Sequence, residues 1–378
     1  MTPKIYADYA ASTPIDPKVT DRVRAISDAL IGNPSSAHGF GHAAWIELNA
    51  AREELAKFLN AKTDEIYFTS SGTESNNLAI LGVAKANKSR GKHIVTTTIE
   101  HPSILNACRA LEKDGWQISY VSPDKNGVVA ATAIAEAVTK ETILVTTHLA
   151  NSEIGVVQNI ADIAKAVKAK NANTLIHVDA CQASSYIKLD IQELGADLLT
   201  INGTKMYGPR GVALLYVRQG VSIFPLVYGG GQEQSLRSGT ENVPGIVGLA
   251  EAAKIIEKNR DLDSKKIGQL RDWLQAELEK LPGVLINAKK TNRLPNHLSV
   301  TLPGIKNRDL VKELDQQGIA VSAGSACSSK SLGDSHVLTA IGLTNEQISA
   351  TIRVSFGRQT KKQDIQRVAS AIIKKLAS

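Results

Sequence analysis

Leu175-Ile-His-Val178-Asp179-Ala180-Cys181-Gln182 is a short apolar, β-rich run that ends in an acid. Similar runs recur on both sides of it. Upstream stand Glu65-Ile-Tyr-Phe68, His93-Ile-Val-Thr96, Ile118-Ser-Tyr-Val121 and Ile143-Leu-Val-Thr146; downstream come Asp197-Leu-Leu-Thr200 and Val212-Ala-Leu-Leu-Tyr-Val217. Amphipathic stretches with helical spacing lie between them, among them 76–88, 104–113 and 160–170. This alternation predicts an α/β domain on a mostly parallel, seven-stranded sheet covered by helices. In such a sheet the carboxyl ends of the strands gather at one edge, where ligands bind. A helical pattern over 243–281 is long enough to bridge two domains. After it the alternation resumes, with strands at His297-Leu-Ser-Val-Thr301 and Thr351-Ile-Arg-Val-Ser355 and helices near 307–317 and 362–376. The expected organisation is a large domain over 15–258 and a smaller α+β domain over 259–378, joined by the N-terminal segment 1–14.

With 378 residues, 43% hydrophobic and 21% charged, the chain can bury a full core. Its start lacks a basic segment followed by an apolar one, and no later stretch offers about 18 uninterrupted apolar residues, so the cytoplasm is expected and a membrane is not. The net charge of +7 is spread among acids along the chain, which reads as solvated helix faces and not as a nucleic-acid surface. Cys108, Cys181 and Cys327 cannot build a disulfide framework and lack metal-ligand spacing. Cys108 and Cys181 stand in apolar settings and read as packed core thiols. Cys327 differs: Ser322-Ala-Gly-Ser-Ala-Cys-Ser-Ser-Lys330 offers no large apolar side chain to pack and reads as a movable loop.

Three segments put polar groups at expected strand ends. Ser70-Ser71-Gly72-Thr73-Glu74-Ser75-Asn76-Asn77 follows a strand and opens a helix, so its backbone N–H groups and the Thr73 hydroxyl can hold a phosphate; it serves equally well as a plain helix cap. Asp179 ends its strand, where a carboxylate can keep a pyridine nitrogen protonated or simply cap the next helix. Lys205 follows a strand within Asn202-Gly203-Thr204-Lys205-Met-Tyr-Gly-Pro-Arg-Gly211, a place where a lysine can form a Schiff base or stay a surface charge. Phosphate loop, acid and lysine in this order favour pyridoxal 5'-phosphate (PLP).

The chain resembles the NifS/IscS type of cysteine desulfurase. The resemblance runs from residue 5 to about 358, on Asp8-Tyr-Ala-Ala-Ser-Thr-Pro, Gly32-Asn33-Pro-Ser-Ser, Phe68-Thr-Ser-Ser-Gly-Thr-Glu-Ser-Asn-Asn77, Glu100-His101-Pro, Glu153-Ile-Gly-Val-Val-Gln158, His177-Val-Asp-Ala180, Lys205-Met-Tyr-Gly-Pro209, Gly229-Gly-Gly-Gln232, Leu236-Arg-Ser-Gly-Thr-Glu-Asn242 and Ala323-Gly-Ser-Ala-Cys327-Ser-Ser. It implies a class V aminotransferase-like, fold-type I PLP transferase that works as a homodimer. It implies further that Lys205 binds the cofactor covalently, that Asp179 partners the ring nitrogen, that His101 stacks on the ring and relays protons, and that Gln182 bonds the ring hydroxyl. Gly72, Thr73, Asn202 and Thr204 would hold the phosphate, with Thr240 reaching in from the other subunit. Ser152 would contact the cofactor, Arg353 and Asn33 would bind substrate, and Cys327 would take the sulfur of L-cysteine as a persulfide, releasing L-alanine. The persulfide would serve a sulfur acceptor, either an iron–sulfur scaffold or a tRNA-thiolation enzyme.

Three departures stand beside this agreement. The family has Ser-Gly-His where this chain has Asn202-Gly203-Thr204, and generally an asparagine where Ser152 stands, with Asn151 the residue placed to compensate. The chain also stops at Ser378, soon after the last helical pattern, whereas IscS-type members carry an extension implicated in docking the scaffold. Competing readings are a selenocysteine lyase, another class V PLP aminotransferase, and an inactive sulfur-relay partner; retention of Lys205, Asp179, His101 and Cys327 argues against the last.

Overall fold

The computed structural model describes residues 4–324 and 335–376. Strand β1 (Ile5–Tyr6) precedes the seven strands of the central sheet: β2 (Ile66–Thr69), β3 (His93–Thr97), β4 (Gln117–Val121), β5 (Thr142–His148), β6 (Leu175–Asp179), β7 (Leu198–Asn202) and β8 (Ala213–Val217). Their order is β2-β8-β7-β6-β5-β3-β4. Strands β3 to β7 are parallel, and β8 runs antiparallel to both β2 and β7. Every residue of β3, β5 and β6 is buried, as a parallel sheet covered on both faces requires. Polar members of these strands satisfy one another: Thr146 Oγ1 and His177 Nδ1 are 2.8 Å apart across β5 and β6.

Local signals explain where the covering helices begin. Ser71 caps the helix after β2, its hydroxyl accepting from the Glu74 N–H; the helix runs Gly72–Asn77, loosens into a π-helical stretch Leu78–Gly82, and resumes as Val83–Asn87. Pro102, preset for the first helical turn, opens Pro102–Lys113, and the His101 ring caps it. The helix Val243–Leu278 has 36 residues and so spans about 54 Å. Residues at its start, Ile246 to Ile256, bury into the core beneath the sheet, whereas Ile267, Leu274 and Leu278 belong to a second core.

That second core packs against a three-stranded antiparallel sheet of β9 (Leu285–Ile286), β10 (His297–Thr301) and β12 (Thr351–Ser355), while β1 pairs in parallel with β11 (Ile319–Ala320). Ile5 and Ala7 therefore sit in the C-terminal core. From there the N-terminal segment crosses to the large sheet, where the Thr13 N–H donates to the Thr204 carbonyl (2.9 Å). The crossing is tight at Gly357, where a Cβ would come within 1.9 Å of the Tyr9 ring. Among the described residues no helix is long and apolar enough to cross a membrane.

Candidate active site

The carboxyl ends of β5, β6 and β7 bring His148, Asp179 and Asn202 to one edge of the sheet, and the start of the Gly72 helix lies over them. Asp179 is buried and anchored twice: Oδ2 accepts from Asn76 Nδ2 (2.8 Å) and Oδ1 from the Cys181 N–H (3.0 Å). Asn76 also donates to Ser103 Oγ (2.9 Å), and the Ser103 hydroxyl lies 2.8 Å from His101 Nδ1, which accepts from the Ser103 N–H as well. With both hydrogens of Asn76 spent, the Ser103 hydroxyl donates to His101 Nδ1, and the proton of the neutral ring sits on Nε2. Burial pushes the His101 imidazole below its ordinary range, an effect the nearby Asp179 opposes without reversing. For Asp179 burial works against ionisation, but His101 beside it and the hydrogen bonds from Cys181 and Asn76 outweigh it and hold the carboxyl below its usual value. Because His101 is neutral near pH 7, the hydrogen bonds do most of this.

Lys205 ends a single 3₁₀ turn, Gly203–Lys205, that follows β7 directly. Asn202 Oδ1 accepts from the Thr204 N–H (3.1 Å), and the Lys205 carbonyl accepts from Ser185 Oγ (2.8 Å), so the backbone that carries the lysine is fixed at both sides. Its Nζ donates to the carbonyls of Ala10 (2.7 Å) and Ala11 (2.6 Å) in the N-terminal segment, and Gln182 Nε2 also reaches Ala10 (2.9 Å). Arg353 comes from β12 of the second sheet. It is buried and gives one NH group to the Ser152 carbonyl (2.8 Å) and the other to Asp8 (2.7 Å), leaving Nε without a partner among the described residues.

These groups face a cavity of about 210 Å³. Several buried polar atoms in its wall lack partners among the described residues, including Asn76 Oδ1 and Arg353 Nε, which marks it as a place built for a polar occupant. PLP fits its donor set: an ionised acid for the ring nitrogen, a lysine for the aldehyde, and for the phosphate the first N–H groups of a helix at Gly72 and Thr73. Gly72 is packed closely here, since a Cβ on it would lie 2.9 Å from Cys181 Sγ.

The sequence model of the aminotransferase class-V family matches residues 5–368. The chain belongs to this family. Relatives include the cysteine desulfurase IscS of Dictyoglomus turgidum, 42% identical over all of this chain and 96% of that one, and the cysteine desulfurase IscS 1 of Archaeoglobus fulgidus, 39% identical over 99% and 98%. Among solved structures, a NifS-like protein superposes with a TM-score of 0.94 at 36% identity over 99% of both chains, and SspA in complex with cysteine with 0.82 at 36% identity over 93% and 99%. The fold is thus that of the fold-type I PLP enzymes, and the aminotransferase cofactor is PLP.

In this class-V enzyme the cavity gathers Gly72, Thr73, His101, Ser152, Asp179, Gln182, Asn202, Lys205 and Arg353. Thr204 does not line it; its carbonyl instead accepts from Thr13. Thr240 and Asn33 are exposed elsewhere, Asn33 turning the chain by accepting from the Ser35 N–H. Cys327 lies outside the described residues. Asn151 also lines the cavity, its Nδ2 donating to the Ile99 carbonyl and its Oδ1 accepting from the N–H groups of Glu153 and Ile154. Cys108 and Cys181 are buried and free, and burial pushes the Cys108 thiol up to about 12 and Cys181 well up too. Two contributors escaped the sequence reading. Asn76 was legible, one helical turn after Gly72 on the same face; His148 was not, because its strand read as ending at Thr146.

Proposed function

We propose that the enzyme is a cysteine desulfurase that converts L-cysteine to L-alanine and leaves the sulfur on Cys327 as a persulfide. The observation that carries this is the meeting of Lys205, Asp179 and Arg353, from two different sheets, in one cavity of a chain that matches cysteine desulfurases along its whole length. The exchange balances: the substrate C–S bond breaks, its carbon gains hydrogen, and sulfur leaves as the outer atom of Cys327–S–SH.

Bound PLP supplies an electron sink for the pair left at the substrate α-carbon. Asp179, kept ionised by Asn76 and Cys181, holds the proton on the ring nitrogen. Lys205 would provide the amine that holds the cofactor, and its Nζ could carry a proton. Arg353 binds the substrate carboxylate with its planar fork, helped by the partnerless Nε, while Asp8 and Ser152 keep the guanidinium oriented. His101, oriented by Ser103, offers the Nε2 proton to the cavity. The residues flanking the Cys327 segment reach the same place: Ser335 Oγ bonds Glu153 (2.5 Å), and His336 lines the cavity.

A homodimer completes this reading. Phe40, Trp45 and Ile46 are exposed along the helix Gly39–Leu59, and Trp45 shares a groove with the glycine-rich loop that leads to Thr240. A cytoplasmic sulfur acceptor, an iron–sulfur scaffold or a tRNA-thiolation enzyme, would take the persulfide. The test is single-turnover alanine formation from L-cysteine with mass spectrometry of the enzyme. A persulfide on Cys327 is expected, and Cys327→Ala is expected to bind PLP yet release no alanine. Undiminished alanine from that variant overturns the proposal.

A further inference from the structure

Next to Asp179, on the adjacent strand, stands a second buried charge pair that the mechanism above does not use. His148 ends β5 in direct register with Asp179 at the end of β6, so the two residues are parallel-strand neighbours. Its Nδ1 lies 2.9 Å from Oε1 of Glu100, whose side chain is fully buried. The same oxygen accepts from Thr97 Oγ1 (2.6 Å) and Thr147 Oγ1 (3.2 Å), so three donors converge on it. Both residues line the cavity, and each keeps one buried atom without a partner among the described residues, His148 Nε2 and Glu100 Oε2.

Such a cluster is costly to build from apolar surroundings unless its charges compensate. Glu100 Oε1 is the shared acceptor of this cluster, and the histidine that bonds to it carries a proton on Nδ1. Burial works against a charged His148, but Glu100 and, less closely, Asp179 outweigh it and raise its proton affinity. The titratable and charged groups around the pair are Asp179 and His177 on the sheet, His101 at the cap of the helix Pro102–Lys113, Cys108 on that helix, Lys205 across the cavity, and His336, whose Nε2 contacts the Glu100 carbonyl (2.9 Å).

We infer that His148 and Glu100 are a positioning pair for the cofactor: His148, bonded to Glu100 and in register with Asp179, offsets the charge of Glu100, so that Asp179 alone sets the proton affinity of the ring nitrogen. The inference rests on the reading that Asp179 partners that nitrogen. His148→Gln leaves Glu100 uncompensated near the ring and makes the site more negative. The double change His148→Gln with Glu100→Gln restores neutrality.

The test is a pH titration of the visible band of the lysine-bound cofactor in the holoenzyme. Relative to wild type, His148→Gln is expected to raise the midpoint by about one pH unit, the size of effect a charge within a few ångströms produces, and the double variant to return it. A role in packing alone would not give that reversal. An unchanged midpoint in His148→Gln, or a double variant that shifts as far as the single one, overturns the inference. Should His148→Gln fold poorly, nuclear magnetic resonance titration of His148 in the wild-type holoenzyme decides instead: an imidazole neutral at pH 7 overturns it. Failure of the functional reading is seen separately, as an Asp179→Asn variant whose cofactor band titrates like wild type.

Discussion

Lys205 is held by two main-chain carbonyls of a segment from the far end of the sequence, and its own backbone is pinned by Asn202 and Ser185. A lysine so placed is presented to one cavity only. Lys205→Ala is therefore expected to abolish the borohydride-reducible PLP adduct, as peptide mapping of the reduced protein would show; an adduct at another lysine would refute the assignment. Arg353 gives a graded test. Replacement by Lys keeps the charge but loses the fork, so KM for L-cysteine should rise about 10- to 100-fold, the worth of one charge-assisted hydrogen bond, with the cofactor spectrum unchanged. Steady-state kinetics with and without saturating cysteine separate the two effects. At this scale the sequence revealed residues whose type is unusual for their place, an acid or a lysine at an apolar strand end. It hid those whose importance comes from a neighbour: Glu100 matters through His148, and Asp8 through Arg353.

Elements were legible where they were long enough to show a period. The seven runs of the large sheet and the long helix from Val243 are present with shifted ends, β5 running on to His148 and the helix stopping at Leu278, short of the expected 281. Strands β1, β9 and β11 have two residues each, too few for any alternation, and the antiparallel direction of β8 leaves no trace in a buried run. The start of the helix after β2 carries a prediction of its own, because Gly72 packs against Cys181 and Asn202. Gly72→Ala should lower thermal stability by about 1–3 kcal/mol through overpacking and weaken PLP binding, as calorimetry and cofactor titration would show. Adding Cys181→Ala removes the sulfur that the new methyl meets and should recover most of the stability. If the double variant is no better than the single one, the contact is not the cause.

For the molecule as a whole, two cores share one long helix, and buried neutral histidines lie in both parts. Burial pushes His177 in the large sheet down to about 4 and His297 in the second sheet down to about 3. Unfolded, each would titrate near its ordinary value of about 6.5. The unfolded chain thus binds more protons at any pH below that value, and stability present above pH 6.5 is lost as pH falls toward the folded values, by up to about 1.4 kcal/mol per unit for each group. Thermal midpoints should fall steadily from pH 7 to pH 5, with a shallower slope in His297→Gln; parallel slopes would remove His297 from the account. Sedimentation should find a dimer, since Phe40, Trp45 and Ile46 are otherwise left in water; a fully active monomer would contradict it.

The N-terminal segment gives this architecture a direction in time. Ile5 and Tyr6 are synthesised more than 300 residues before their strand partners, Ile319 and Ala320. The Asp8–Arg353 ion pair spans the same interval. The large sheet can form during synthesis, with Lys205 already at its edge, while the opening residues wait without a partner strand. Only once β11 and β12 have been made can this segment pair with β11 and Asp8 meet Arg353. A nascent polypeptide arrested before β11 should therefore carry the lysine without being able to complete the site around it.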